Sequence, residues 1–189
     1  MEPRLLLVDD EENVCKALVR QLRMVDRAGE PPYRIEWFSD PRAALARARE
    51  AAFDLVVSDY RMPEMDGVAF LNAFRALQPD CARLILSGQT DLLGLVRAIN
   101  EAGISHFLAK PWGEAELILA VESALRDREL MLENHRLADE MRALRGAITQ
   151  QEAELRRLER EHPGITRVRW SGDGALLLDD DGESRLHRA

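Results

Sequence analysis

Acidic, hydroxyl and ammonium side chains follow the short apolar runs of this sequence, at the point where each run ends. In chain order these residues are Asp9 and Asp10, Asp59, Ser87 and Lys110. Three clustered carboxylates repel one another unless a hard divalent cation lies among them, and Mg²⁺ prefers oxygen ligands. A lysine ammonium and a serine hydroxyl suit phosphate oxygens, and a carboxylate can itself carry a phosphoryl group. These residue types therefore indicate Mg²⁺-dependent phosphoryl chemistry.

Such side chains can meet only if the apolar runs are strands that share one edge of a sheet. The runs are Leu5–Val8, Arg34–Phe38, Leu55–Val57, Leu84–Leu86 and Ile104–Leu108. Helical spacing separates them at Val14–Val25, Ala43–Ala48, Val68–Leu77 and Leu92–Ile99. This alternation predicts an α/β fold, a doubly wound five-stranded parallel sheet with helices on both faces. Chemistry in such sheets gathers at the carboxyl ends of the strands, and we expect Asp40, after the second strand, to cap a helix.

The composition excludes several classes of protein. The chain has 189 residues and a formal net charge of −8, which argues against a nucleic-acid-binding protein. We expect neither a membrane span nor a signal peptide, because the apolar runs are short and Met1–Arg4 lacks a basic start. Cys15 and Cys81 are the two cysteines, which predicts packing roles and a cytoplasmic location. Of the 26 basic residues only Lys16 and Lys110 are lysines.

Four stretches of the sequence resemble the receiver domain of bacterial two-component response regulators. They are residues 5–11 (LLLVDDE), 59–67 (DYRMPEMDG), 85–88 (ILSG) and 107–112 (FLAKPW). The resemblance covers about residues 3–127, and its specificity lies in the combination rather than in any single stretch. It implies a flavodoxin-like receiver fold and a sensor histidine kinase or phosphotransfer protein as the partner.

The resemblance also implies which residues would bind the metal and which residue would accept the phosphoryl group. Asp59 would accept the phosphoryl group from a phosphohistidine of the kinase. Asp10 would bind Mg²⁺ directly, together with Asp59 and the backbone carbonyl of Arg61, and Asp9 would bind it mainly through water. The protein would then be no enzyme beyond slow self-dephosphorylation.

Three further positions would respond to the phosphoryl group in such a receiver. Ser87 would donate a hydrogen bond to it and move toward it, and Lys110 would pair with it. Phe107 occupies the aromatic switch position, and because it lacks a tyrosine hydroxyl it would signal by burial alone. The bond between Lys110 and Pro111 would be cis.

After Glu114 the pattern is helical to about Glu161, and beyond residue 127 it carries a heptad repeat. The a positions are Asn134, Met141, Ile148 and Leu155, and the d positions are Leu130, Leu137, Leu144, Gln151 and Leu158. Seven of the nine are apolar, which predicts a coiled coil; packing of the stripe back on the receiver is the alternative. Asn134 at an a position favours a parallel homodimer, although the flanking charges give opposing indications.

The segment after Pro163–Gly164 reads as a β-hairpin followed by a polar tail. We therefore divide the chain into a receiver (1–127), a coiled-coil extension (128–162), and a hairpin with tail (163–189). No motif of a known output domain follows residue 127, so we expect signalling through protein–protein interaction with a downstream partner that the sequence does not identify. The alternatives are a scaffold that ignores phosphorylation and a transcriptional regulator that binds DNA through its tail.

Overall fold

The computed structural model describes residues 2–24, 32–88 and 103–162, together with the backbone of 169–170 and 176–177. The predicted helix at Leu92–Ile99 lies outside the described residues. Seven strands are described: β1 (Arg4–Val8), β2 (Arg34–Phe38), β3 (Leu55–Asp59), β4 (Ala82–Gly88), β5 (His106–Lys110), β6 (Arg169–Trp170) and β7 (Leu176–Leu177). The described helices are α1 (Glu12–Arg23), α2 (Pro41–Glu50), α3 (Gly67–Leu77) and α4 (Glu114–Glu161).

Strands β1 to β5 form one parallel sheet in the order β2-β1-β3-β4-β5, which confirms the predicted fold class. Strands β1, β3 and β4 are buried on both faces, as their near-continuous apolar sequences require. The order places β1 beside β3, so Asp9 and Asp59 emerge from neighbouring strands. Strand β5 begins two residues later than the apolar run suggests, because Ile104 packs in the core ahead of the strand.

Alternating side chains of the strands divide the core into two layers. Leu6, Val56 and Ile85 pack with α2 and α3 on one face. Leu5, Leu7, Val57, Leu84 and Leu86 pack with α1 and α4 on the other face. Asp40 caps α2 as predicted, because its Oδ1 accepts a hydrogen bond of 2.8 Å from the backbone N–H of Arg42. Helices thus cover both faces of the sheet, and the carboxyl ends of the strands continue into loops.

Helix α4 has the bounds that the sequence predicts. Its buried residues Leu117, Val121 and Ala124 cover the sheet. The chain divides into two compact units, Met1–His135 and Arg136–Ala189, whereas the predicted boundary is at 127. The predicted hairpin is present as the antiparallel pair β6–β7, shorter than the apolar pattern suggested. Among the described residues, none of the helices combines the length and apolar character that crossing a membrane requires.

Candidate functional site

One lysine joins two carboxylates at the carboxyl edge of the sheet. Nζ of Lys110, the last residue of β5, lies 2.9 Å from Oδ2 of Asp9 and 2.5 Å from Oδ1 of Asp59. The Asp9 and Asp59 side chains are almost completely buried, and Lys110 is 27% exposed. Water therefore screens these ion pairs weakly, and removing one partner would leave an uncompensated buried charge. The structure thus brings together three of the side chains that the sequence placed at this edge.

The same local geometry orients both carboxylates. Oδ1 of Asp9 accepts a 2.9 Å hydrogen bond from the backbone N–H of Glu11, and Oδ2 of Asp59 accepts a 2.8 Å hydrogen bond from that of Arg61. Each aspartate therefore uses one oxygen for the amide two residues ahead and the other oxygen for Lys110. In Asp59 this leaves Oδ1 as the oxygen that faces the ammonium.

Burial and charge shift the pKa values of two of these groups in the same direction for different reasons. Burial raises the pKa of Asp9, and the neighbouring Asp59 charge adds to this, outweighing the hydrogen bond from Lys110. Burial alone would lower the pKa of Lys110, but hydrogen bonds and charge from Asp59 and Asp9 raise it above its usual value. Lys110 is therefore a fixed positive charge at neutral pH, and a second cation near Asp9 would favour its ionised form.

Gly67, the first residue of α3, allows the helix to approach Asp59. A Cβ atom placed on Gly67 would lie 2.0 Å from the backbone oxygen of Asp59 and 3.0 Å from the Cα atom of Tyr60. The Gly67 N–H donates a 2.9 Å hydrogen bond to the carbonyl of Tyr60. No role is predicted for Gly67 from the sequence, although its place directly after the helix-capping residue Asp66 is the kind of signal that marks a close approach.

The other predicted site residues lie around this group with less direct contact. The Ser87 side chain is buried at the end of β4, and its hydroxyl donates a 3.1 Å hydrogen bond to the carbonyl of Gly88, the ladder partner of Lys110. Phe107 is half exposed in β5. Asp10 is exposed and borders a cavity with Asp40, Arg42 and Glu64 rather than the Lys110 contact. The bond between Lys110 and Pro111 is cis, as the resemblance implied.

The donor set at this edge is compatible with Mg²⁺. In the described part of the chain, no group of three or more acidic, histidine or cysteine side chains is arranged to hold a metal ion. Mg²⁺ does not require such a group, because it binds through one or two carboxylates, a carbonyl and several waters. Asp59, the neighbouring Asp9 and Asp10, and the carbonyl of Arg61 provide oxygen donors only. The two buried carboxylates also carry one more negative charge than Lys110 neutralises, which favours a cation at this place.

Comparison with known proteins identifies the domain that carries this site. The sequence model of the response regulator receiver domain matches residues 5–122. The hydrogenase transcriptional regulatory protein HoxA of Cupriavidus necator is 34% identical over 137 residues, which is 72% of this chain and 27% of that protein. The transcriptional regulatory protein PrrA of Mycobacterium leprae is 35% identical over 126 residues, 67% of this chain and 51% of that protein.

Solved structures agree with the sequence comparison. The signal receiver domain of an HD domain-containing protein from Pseudomonas fluorescens Pf-5 is 33% identical, with a TM-score of 0.62, and the match covers 68% of this chain and 98% of that structure. A protein from Neptuniibacter caesariensis is 34% identical, with a TM-score of 0.63 and coverage of 70% and 93%. The chain spans between about a quarter and a half of the length of the curated relatives above, so the similarity concerns the receiver.

Proposed function

The chain belongs to the response regulators of two-component systems, and we propose that Asp59 of its receiver accepts a phosphoryl group from the phosphohistidine of a sensor histidine kinase or a phosphotransfer protein. The observation that carries this proposal is the orientation of Asp59. Its Oδ2 is held by the amide of Arg61, and its Oδ1 lies 2.5 Å from the Lys110 ammonium. A nucleophilic oxygen and a fixed positive charge for the incoming phosphoryl oxygens therefore lie side by side.

The proposed reaction moves one phosphoryl group between two residues. An oxygen of the Asp59 carboxylate attacks phosphorus, the new P–O bond forms, and the P–N bond of the phosphohistidine breaks with its electron pair left on the imidazole. Lys110 exchanges its contact with Asp59 for one with a phosphoryl oxygen, and the Ser87 hydroxyl donates to another. Because Lys110 also contacts Asp9 at 2.9 Å, it keeps one fixed partner during this exchange.

Mg²⁺ is the cofactor we propose for this site. Asp10, Asp59 and the carbonyl of Arg61 would hold the ion, and Asp9 would contact it mainly through water. When bound, Mg²⁺ supplies positive charge that offsets the negative charge of the phosphoryl oxygens. The raised pKa of Asp9 supports this assignment, since burial of that carboxylate is the main cause and a nearby cation would counteract it.

The phosphoacceptor is tested by phosphorylation of the full chain with a small-molecule donor such as acetyl phosphate, with and without Mg²⁺. Asp59→Asn should abolish the incorporation of a phosphoryl group that is labile to base and to hydroxylamine, measured by mass spectrometry of the intact protein. Asp40→Asn is the matched control, because it removes a carboxylate at the same sheet edge while asparagine still caps α2. Labelling that persists in Asp59→Asn, or that does not depend on Mg²⁺, would contradict the proposal.

For the output we propose a coiled-coil homodimer that contacts a downstream protein. Large apolar side chains of α4 are between 45% and 66% exposed on the single chain: Leu130, Leu137, Met141, Leu144, Ile148 and Leu155. Their burial against a second copy would contribute on the order of 5 kcal/mol per helix, at about 1.5 kcal/mol for a full side chain. Phosphorylation of Asp59 would draw Ser87 and Phe107 inward, and this change would alter the dimer or expose a surface for the partner.

The homodimer is tested by light scattering after size-exclusion chromatography. The wild type should have twice the mass of one chain, and Leu144→Asn with Ile148→Asn should have the mass of one. Ala143→Asn is the matched control, because it introduces the same side chain on the opposite face of the predicted heptad. Equal masses for the wild type and the double variant would contradict the coiled coil.

A second candidate function rests on the relatives, since HoxA and PrrA are named as transcriptional regulatory proteins. In that case residues 163–189 would bind DNA, and deletion of this segment would abolish a salt-dependent retention on DNA. Asp59→Ala distinguishes the scaffold alternative from a phosphorylation-dependent regulator. This variant would still bind the partner only if partner binding does not require phosphorylation.

A further inference from the structure

Helix α4 leaves the sheet through a group of polar contacts that the phosphoryl chemistry does not use. The last fully buried residue of the helix is Ala124, and the exposed apolar stripe begins at Leu130. Asp127 and Arg128 lie between these two points, and both contact the sheet. We call these contacts the junction contacts; they comprise the side chains of His106, Asp54, Asp127 and Arg128 and the carbonyl of Asp80.

Arg128 holds α4 to the amino-terminal edge of the sheet. Its Nη1 lies 2.9 Å from Oδ1 of Asp54, and its Nε donates a 2.8 Å hydrogen bond to the backbone carbonyl of Asp80. Arg128 is 23% exposed, so this arginine is more shielded than an ordinary surface ion pair. A planar guanidinium with two separate acceptors fixes the helix in rotation as well as in position.

Asp54 is itself fixed by three strands. Its backbone N–H donates a 2.8 Å hydrogen bond to the carbonyl of Arg4, and its carbonyl accepts one of 2.9 Å from Ala82. Its Oδ2 accepts a third, of 2.8 Å, from the N–H of Arg4. The residue that receives Arg128 is therefore tied to the first residues of β1 and β4 and immediately precedes β3. A displacement of the amino-terminal ends of these strands would therefore move Asp54 and, with it, Arg128.

His106 makes the second junction contact, from the first residue of β5. Its Nε2 lies 3.2 Å from Oγ of Ser123 and 3.3 Å from Oδ2 of Asp127. Its Nδ1 is buried without a hydrogen-bond partner among the described residues, so the Nε2 contacts are what orient the ring. Strand β5 also ends in Lys110, and the side chains of His106 and Lys110 point to the same face because they are four residues apart. One strand thus contacts the phosphorylation site at one end and α4 at the other.

We propose that the junction contacts are the route by which the receiver controls the coiled coil, with Arg128 as the positioning residue. This inference rests on the proposed function, and it adds the residues that carry the signal. Arg128 and Asp127 set the rotation of α4 less than one turn before Leu130, so that a change in the receiver alters how the apolar stripes of two copies meet. Without Arg128 the turn after Ala124 separates from the sheet, and the dimer no longer responds to the state of Asp59.

The test measures the dissociation constant of the full-length dimer by sedimentation equilibrium in Mg²⁺, with and without beryllofluoride as the phosphoryl mimic. The ratio of the two constants is the coupling between site and coil, and ratios of about 5 to 150 are typical of coupled sites. In the wild type we expect a ratio above five, in either direction. In Arg128→Ala we expect a ratio within about twofold of one, while calorimetry shows that the variant still binds the mimic.

Two further variants separate the positioning role from a general loss of structure. Arg126→Ala is the matched control, because Arg126 is an exposed arginine on the same helix, and its ratio should equal that of the wild type. Arg128→Lys keeps the charge but loses the two-acceptor geometry, and we expect an intermediate ratio. This conservative variant also carries the test if Arg128→Ala fails to fold.

The outcomes distinguish this inference from the proposed function. A wild-type ratio above five that persists in Arg128→Ala and Arg128→Lys overturns the inference alone. A wild-type ratio of one, or a protein that forms no dimer, overturns the proposed output and this inference together. A ratio that collapses equally in Arg126→Ala also overturns the inference, because the loss would then not depend on the junction contacts.

Discussion

Substitution of Gly67 by alanine would create a steric overlap with β3, the strand that ends in the proposed phosphoacceptor Asp59. The new Cβ would lie 2.0 Å from the backbone oxygen of Asp59, whereas real Cβ atoms essentially never come closer than 3.0 Å. The backbones of α3 and β3 must therefore separate by about 1 Å. The obstructing atoms belong to the backbone, so no side-chain rotation can relieve the overlap. We expect the free energy of unfolding to fall by about 3 kcal/mol, at the upper end of typical overpacking costs.

The same substitution should impair phosphorylation beyond its effect on stability. Asp59 Oδ1 lies 2.5 Å from Lys110, and a displacement of about 1 Å at a reacting group can lower a rate on the order of 100-fold. The assay is the rate of labelling by acetyl phosphate under conditions where denaturant titration shows the variant to be folded. An unfolding midpoint and a labelling rate equal to those of the wild type would refute the steric reasoning.

Gly146→Ala is the matched control for this prediction. Nothing lies within 4 Å of a Cβ placed on Gly146, which lies in the interior of α4. Alanine is favoured over glycine in such a position by about 1 kcal/mol, so helicity and thermal stability should rise. The phosphorylation rate should not change. The same chemical change is thus expected to have opposite effects on stability, and the difference lies in what surrounds the added methyl group.

Three further predictions concern charge and burial. The Glu36 carboxylate accepts hydrogen bonds of 2.7 Å from Arg4 and Arg47, and the one from Arg47 is the main reason that its pKa lies below the usual 4.5. The stability that this group contributes is therefore fully present above pH 4.5 and is lost as the pH falls through the lowered pKa. Glu36→Gln should thus lower the denaturant midpoint at neutral pH, and by progressively less as the pH falls below 4.5; a loss that does not change with pH would contradict the linkage. Burial raises the pKa of Cys15 to about 11 and of Cys81 to about 12, so both thiols should react with a disulfide reagent only after unfolding; rapid reaction of the native protein at pH 8 would contradict this. Lys110→Arg keeps the charge but not the compact ammonium, and the labelling rate should fall at least about tenfold; wild-type labelling would show that charge alone suffices.

Much of the fold and of the proposed phosphorylation site follows from local sequence. Apolar runs of strand length, separated by helical spacing, predict the sheet, and parallel strands bring the residues at the carboxyl ends of β1, β3 and β5 to one edge. The prediction is weaker where tertiary contacts decide the outcome. Asp10 lies only two residues after β1, yet its exposed side chain borders a different cavity from the Lys110 contact. The sequence gives the position of a residue along a strand but not the direction of a side chain in the loop that follows.

The junction contacts show why a pattern of alternation can mislead. In the sequence, His106 alternates with apolar positions of its strand, which suggests a surface or switch-face residue. In the structure β5 begins at His106, and this residue lies on the same face as Leu108, toward α4. Asp54 and Arg128 are separated by more than half the receiver, and no local rule pairs them. Such contacts depend on the register of strands and helices, which a single sequence does not specify.

The two ends of β5 suggest how a local event at Asp59 could reach α4. Lys110 is shared between Asp9 and Asp59, so a phosphoryl group that takes over one of these contacts changes the force on the end of the strand. His106 lies four residues away, about 13 Å along an extended strand, and its ring is held by α4. Strands in a packed sheet move as units rather than bend, because their ladder bonds and buried side chains resist local deformation. We therefore expect a displacement of Lys110 to move His106 and, through it, Ser123 and Asp127. These two residues lie in the turns of α4 that precede its exposed apolar stripe.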